Sequence, residues 1–391
     1  MVEIVLTSAK MNLFIILLYF ILFPFGQLLR FEIAPFGIHF AFHILDFITV
    51  LAIPTILFNH SKPHPIRRYF YYFWYICLFS LLIAMIRYPI GGIVRGSLYL
   101  ARFISYYFFF EVVWNYTKEN KERKQKVLSI VIYSLLVTAT FGWLQYFYSP
   151  DLRYLKIFNW DDHFYRLTGT VLDPGFMGIL MGFGSLITGI HYYKTKKLSQ
   201  LLLSIFFLLT LGFTYSRASY ISLIAGVSII FWNLKKFRYI IISLVIISLM
   251  LFLLPKGEGE GVNLFRTNSI FEKVTNYRET IEIISDFPVF GTGFNTLCSE
   301  RINQFNDQSF ESHSCSGSDS SFLFILATTG VLGLFAFIKI IFQMVHSVKD
   351  KEYSVLSIPM GVSLLIHSLF LNSLFYPWVM GVLFALFALT I

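Results

Sequence analysis

Arg95 and Arg102 stand seven residues apart, two helical turns, so their guanidiniums fall on one face of an apolar segment, with Arg87 at the turn before it. Charges at hydrocarbon depth are costly and face a cavity or a partner. Arg166 opens the stretch RLTGTVLDPGFMG, and Arg217 stands in TYSRAS, a very short link between two apolar runs. Guanidinium forks grip phosphate oxygens bidentately, better than an ammonium does. The chemistry open to these residues is therefore the holding of an anionic, phosphate-like group. The competing reading is structural: each arginine reaches lipid headgroups or pairs with Asp173 or Glu111.

Proton chemistry has a different address. The polar block Pro255 to Asp319 contains SHSCSGSDSS, in which His313 or Asp319 can take a proton from a hydroxyl. Asp319 precedes the apolar run SSFLFILATTG, so it can equally cap that helix by accepting a backbone N–H. Earlier in the block, Ser269-x-x-Glu272 has the form of a capping box. Phe271, Val274, Tyr277, Ile281 and Ile284 then recur at near-helical spacing until Pro288. This predicts an amphipathic helix lying along a membrane surface or over a cavity mouth. Arg278 sits on the flank of its apolar face and either reaches inward or pairs with Glu282. In FPVFGTGFNT, Gly291 and Gly293 permit a tight turn. Cys298 and Cys315 lie in the same block and can pair or remain two thiols; Cys77 lies in an apolar segment.

The elements that must position these groups are membrane helices. Of 391 residues, 56% are hydrophobic and 14% charged, which points to a polytopic membrane protein. About 20 apolar residues cross the hydrocarbon core. Segments of that kind lie near 11–29, 36–58, 69–87, 93–114, 127–147, 168–191, 198–215, 218–233, 237–254, 320–344, 354–371 and 374–391. The expected fold is all-α: one integral membrane domain over 1–391, about twelve transmembrane helices, and one large extracytoplasmic loop at 255–319. The first segment has no A-x-A-like cleavage site and reads as a retained helix.

With a cytoplasmic N-terminus, seventeen lysines and arginines fall in the inner loops and seven in the short outer ones, which places both termini in the cytoplasm. The net charge of +9 is then mainly a topology signal, and no nucleic-acid partner is expected. GxxxxGK[ST] is absent, which argues against a built-in ATPase motor. His39, His43 and Asp46 share a helix face at i, i+4 and i+7, but no closing ligand is evident, so no metal and no cofactor is expected. Asp161-Asp162 would suit a metal-dependent transferase only if they stood in the first outer loop, which here is RFEIAP. A transporter or flippase for lipid-linked glycans would also use membrane arginines, but it would ordinarily show repeated halves and lack a single long polar loop.

Taken together and in order, RLTGTVLDPGFMG, SRAS, the outer-loop Arg278, the Pro-x-x-Gly-x-Gly turn, and a His or Asp opening a span that ends in TTGVLG resemble the O-antigen ligase and polymerase family of bacterial membrane glycosyltransferases. The resemblance covers roughly 166–333. It implies an inverting, metal-independent transfer of a glycan from a polyprenyl-pyrophosphate-linked donor to the hydroxyl of a glycan or lipid-linked sugar acceptor, on the outer face of the cytoplasmic membrane. It also implies that Arg217 and Arg278 grip the pyrophosphate, with Arg166 and Arg95 as further cations. One departure stands out: where ligases carry a His-Asn pair eleven residues before the glycine at Gly330, this chain has Asp319-Ser320. Either Asp319 takes the base role, the preferred reading, or His313 folds back to serve.

Overall fold

The structure, a computed structural model, describes residues 2–33, 40–58, 63–118, 120–158, 160–255, 259–305, 317–348 and 350–391. Each of the twelve apolar segments contains a helix. In chain order these are α1 (Val2–Leu22), α2 (Ile44–Phe58), α3 (Arg67–Ala84), α4 (Ile90–Thr117), α5 (Lys121–Tyr148), α6 (Pro174–Thr195), α7 (Leu198–Gly212), α8 (Arg217–Asn233) and α9 (Arg238–Leu253); then, after the polar block, α12 (Ser321–His346), α13 (Lys351–His367) and α14 (Pro377–Ala388). The block itself holds α10 (Asn268–Asp286) and α11 (Leu297–Phe305). By length and composition, four stretches among the described residues suffice to cross a membrane: Ser8–Leu29, Lys121–Tyr148, Pro174–Thr195 and Ser321–His346. The second segment is not helical throughout. Its first described residues form β2 (Phe40–His43), antiparallel to β1 (Arg30–Ile33) in the register Arg30↔His43.

Glycines set how closely the helices approach. In α6, a Cβ on Gly178 would overlap Ser219 Oγ of α8, and one on Gly184 would lie 2.8 Å from the Phe207 ring of α7. Close packing is therefore what the glycines of this span serve. Its N-terminus is fixed by Asp173, whose Oδ1 accepts the Phe176 N–H at 2.8 Å, with Pro174 at the first helical position, where no N–H is needed.

α12 is broken within its length. Gly330 takes φ 65° and ψ −171°, a region reserved for glycine. The 288–293 turn enters the gap. Val331 N donates to the Pro288 carbonyl at 2.9 Å, Thr292 N to Ala327 at 2.9 Å and Gly293 N to Thr328 at 3.0 Å. Within a membrane, freed backbone groups must be satisfied by protein, and the PVFGTG turn does this for the TTG of α12. A Cβ on Gly330 would overlap the Val289 carbonyl. Gly330→Val is therefore expected to destabilise by about 2 kcal/mol or more, since φ strain alone costs about 1–3 kcal/mol and backbone must also move. A thermal-unfolding midpoint unchanged from wild type would refute the interlock.

Candidate functional site

A cavity of about 350 Å³ opens at the end of the bundle that carries Trp160 and the polar block. Arg95 and Arg102 both line it, as their two-turn spacing requires. Gly92 and Gly96 of the same helix admit the 294–299 stretch: a Cβ on Gly96 would overlap the Phe294 carbonyl, and one on Gly92 would lie 2.8 Å from Ser299 Oγ. Arg102 is 7% exposed. It donates to Asp46 Oδ2 at 2.6 Å and to the Ala41 carbonyl, and lies over the rings of Phe40 and Tyr99. Arg95 has no hydrogen-bond or ion-pair partner among the described residues. His43 and Asp46 form polar packing around Arg102: the His43 N–H donates to Asp46 at 2.9 Å, and His43 Nε2 meets Gln27 Oε1 at 3.0 Å. His39 lies outside the described residues. Of the carboxylates weighed as partners for the outer arginines, Glu111 instead binds Arg67, and Asp173 caps α6.

Asp319 also lines the cavity, and it does not cap α12. Ser320 does, accepting the Leu323 N–H at 3.5 Å. This leaves the Asp319 carboxylate to Lys273, whose Nζ lies 3.3 Å from it and donates to the Phe370 carbonyl at 2.8 Å. The Asp319 N–H donates to Asn276 Oδ1 at 2.9 Å. Beneath them Arg301, fully buried, reaches the carbonyls of Gly317 and Asn276 and the Thr280 hydroxyl at 3.3, 3.2 and 2.9 Å. Cys298 lines the cavity and is disulfide-bonded, while Cys77 is a free, buried thiol. His313 and Cys315 lie outside the described residues.

The remaining cations gather around the SRAS turn. Ser216 caps α8, accepting the Ser219 N–H at 3.4 Å, which puts Arg217 at the first helical position. Its guanidinium donates to the Leu264 and Arg266 carbonyls at 3.4 and 3.1 Å and to Ser269 Oγ at 2.8 Å. Arg166 donates to the carbonyls of Thr214 and Tyr215 at 3.0 and 3.4 Å. A third arginine that the spacing did not single out, Arg266, donates to the same Tyr215 carbonyl at 3.3 Å and to Gly261 and Asn263. Carbonyls and a hydroxyl cancel no charge. Burial, and then the neighbouring Arg266 guanidinium, pulls Arg166 down to about 10; burial and then Arg217 lower Arg266. Three guanidiniums held together without a carboxylate ion pair among the described residues are relieved by an anion.

α10 links the two groups. It starts two residues before the expected capping box, with Thr267 at the cap position, so Ser269 is free to meet Arg217. Ser269, Lys273, Asn276 and Thr280 follow one helix face at i, i+4, i+7 and i+11. That polar row packs on the protein, whereas Phe271, Val274 and Ile281 are exposed. Arg278 stands roughly 160° around the helix from Thr280, exposed and within the outward apolar stripe. The ion pair with Glu282 does not form. The structure thus brings Arg95 to Asp319 and Arg166 to Arg217, joins the pairs through α10, and places Arg278 on the outer side of that helix.

No curated protein matches the chain in sequence. Residues 202–338, from α7 through most of α12 and including SRAS, α10, Asp319 and the broken TTG, match the family model described as O-antigen ligase, and over that stretch the chain is similar to the O-antigen ligase family.

Proposed function

We propose that the protein transfers a glycan from a polyprenyl-pyrophosphate donor to a sugar hydroxyl at the outer face of a bacterial cytoplasmic membrane, as a ligase or polymerase, with no metal required. One observation carries this reading. Ser269, which touches Arg217, and Lys273, which touches Asp319, are one helical turn apart, about 6 Å of helix rise. One helix face thus holds a pyrophosphate-gripping cation beside a proton acceptor, the pairing that an in-line displacement at an anomeric carbon needs.

In this mechanism the acceptor oxygen bonds to the anomeric carbon from the face opposite the pyrophosphate, so configuration inverts. The bond from that carbon to the pyrophosphate oxygen breaks, and its electron pair leaves with the lipid pyrophosphate. Asp319 takes the hydroxyl proton, with His313 as the other candidate for that role. Negative charge grows on the leaving oxygen, where Arg217, Arg166 and Arg266 donate to it; positioned donors of this kind often supply most of an enzyme's rate enhancement. Arg278, on the outer side of α10, meets the donor's phosphates at headgroup level. The family match and the apolar helices support the membrane setting.

Purified protein in liposomes, offered a polyprenyl-pyrophosphate-linked oligosaccharide, is expected to release polyprenyl pyrophosphate only when an acceptor glycan is present. Movement of the intact glycolipid between leaflets without cleavage would overturn the proposal in favour of transport.

A further inference from the structure

One guanidinium of the cavity beside Asp319 makes no ion pair among the described residues. Three guanidiniums line it: Arg30, Arg95 and Arg102. Asp46 answers Arg102, Glu32 answers Arg30 and Asp319 is occupied by Lys273; Asp173 also lines the cavity, but its carboxylate accepts the Phe176 N–H at the start of α6, so Arg95 is left without an ion-pair partner among the described residues. Hydrogen-bonding capacity is unspent as well. The Nε groups of Arg30 and of the deeply buried Arg102 are both out of solvent with no acceptor, an arrangement that costs free energy until an acceptor arrives. Around these cations the wall has the character of a carbohydrate site. Trp160 lies under Arg30 at 4.9 Å, Tyr376 stacks on Phe176 at 3.7 Å, and the Asn295 and Asn372 amides complete it. Rings take the apolar face of a sugar, and amides take its hydroxyls.

We infer that this cavity is the acceptor subsite and that it selects a sugar bearing a carboxylate, held by Arg95 with Arg30 and Arg102 behind it. The inference rests on the transfer reaction proposed above, in which the pyrophosphate occupies the Arg166, Arg217 and Arg266 cluster one turn of α10 away. Arg95 then belongs to the acceptor and not to the donor. A planar carboxylate matches the guanidinium fork in two parallel hydrogen bonds. A neutral hexose leaves Arg95 with no charge partner.

The test is a binding measurement that needs no turnover. The detergent-purified full chain is titrated with a glucuronate-containing disaccharide and with the same disaccharide after its carboxyl is reduced to the alcohol. Wild type is expected to prefer the acid by roughly 10- to 100-fold, the range of a hydrogen-bonded charge pair. In Arg95→Gln that ratio collapses toward one; in Arg95→Lys, which keeps the charge but loses the fork, it falls part of the way. Wild type with no preference, or Arg95→Gln with the wild-type ratio, overturns the subsite. A third titration, with polyprenyl pyrophosphate lacking any glycan, assigns the arginine: if Arg95→Gln weakens this ligand and leaves the acid preference intact, Arg95 serves the donor and the inference fails. Acid selectivity that depends on Arg95 in a protein that transfers no glycan would uphold the subsite and overturn the transfer reaction instead.

Discussion

Arg217→Ala is expected to lower glycan transfer by about 100- to 1,000-fold, the cost of removing one positioned donor from a developing oxyanion. The effect should appear in turnover more than in donor affinity, because the leaving oxygen carries most of its charge only in the transition state. Arg217 also ties the Leu264 and Arg266 carbonyls and Ser269 to the start of α8, so the alanine variant can loosen that loop. Arg217→Lys separates the two roles. It keeps a cation but loses the fork, and it should restore part of the rate if charge is what matters. Single-turnover release of polyprenyl pyrophosphate, measured beside the thermal-unfolding midpoint, checks this; full turnover by the alanine variant with the fold intact would remove Arg217 from the mechanism.

Asp319→Asn should reduce turnover by about 100- to 10,000-fold, the usual contribution of a positioned general base. Asparagine preserves the shape and can still accept a hydrogen bond from Lys273, so the variant isolates proton acceptance from packing. Ser320 caps α12, and Asp319 is therefore not needed to hold that helix; the unfolding midpoint should stay close to wild type. The comparison that matters is with His313→Ala, both assayed across pH under single-turnover conditions. A dead histidine variant beside a competent Asp319→Asn would transfer the base role to His313.

The helices were legible because membrane spans announce themselves by length and composition, and the segments predicted from apolar runs each hold one. The shared face of Arg95 and Arg102 followed from helical period alone. Arg266 and Lys273 were hidden because their significance comes from partners far off in sequence: Arg266 meets the Tyr215 carbonyl and Lys273 meets Asp319. Arg301 likewise becomes a centre of the site only once α10 lies over the Gly317 carbonyl. α10 is the most instructive case. Its apolar stripe was visible, but in a protein surrounded by lipid such a stripe can face outward, so the polar row of Ser269, Lys273 and Asn276 is the side that docks. The aspartate ahead of α12 looked like a cap because Asp and Ser are both good caps, and only the backbone decides which of two neighbours takes the position.

The gap in α12 at Gly330 also imposes an order on assembly. Pro288 to Gly293 leaves the ribosome before the Ala327 and Thr328 carbonyls to which its amides will bond. Those amides must find other partners until α12 has been made and packed against them. The long polar segment therefore cannot mature as a separate appendage: its central turn is completed by a helix that follows it, Lys273 finds the Phe370 carbonyl later still, and the chamber beside Asp319 does not exist until Leu371 to Met380 have closed it.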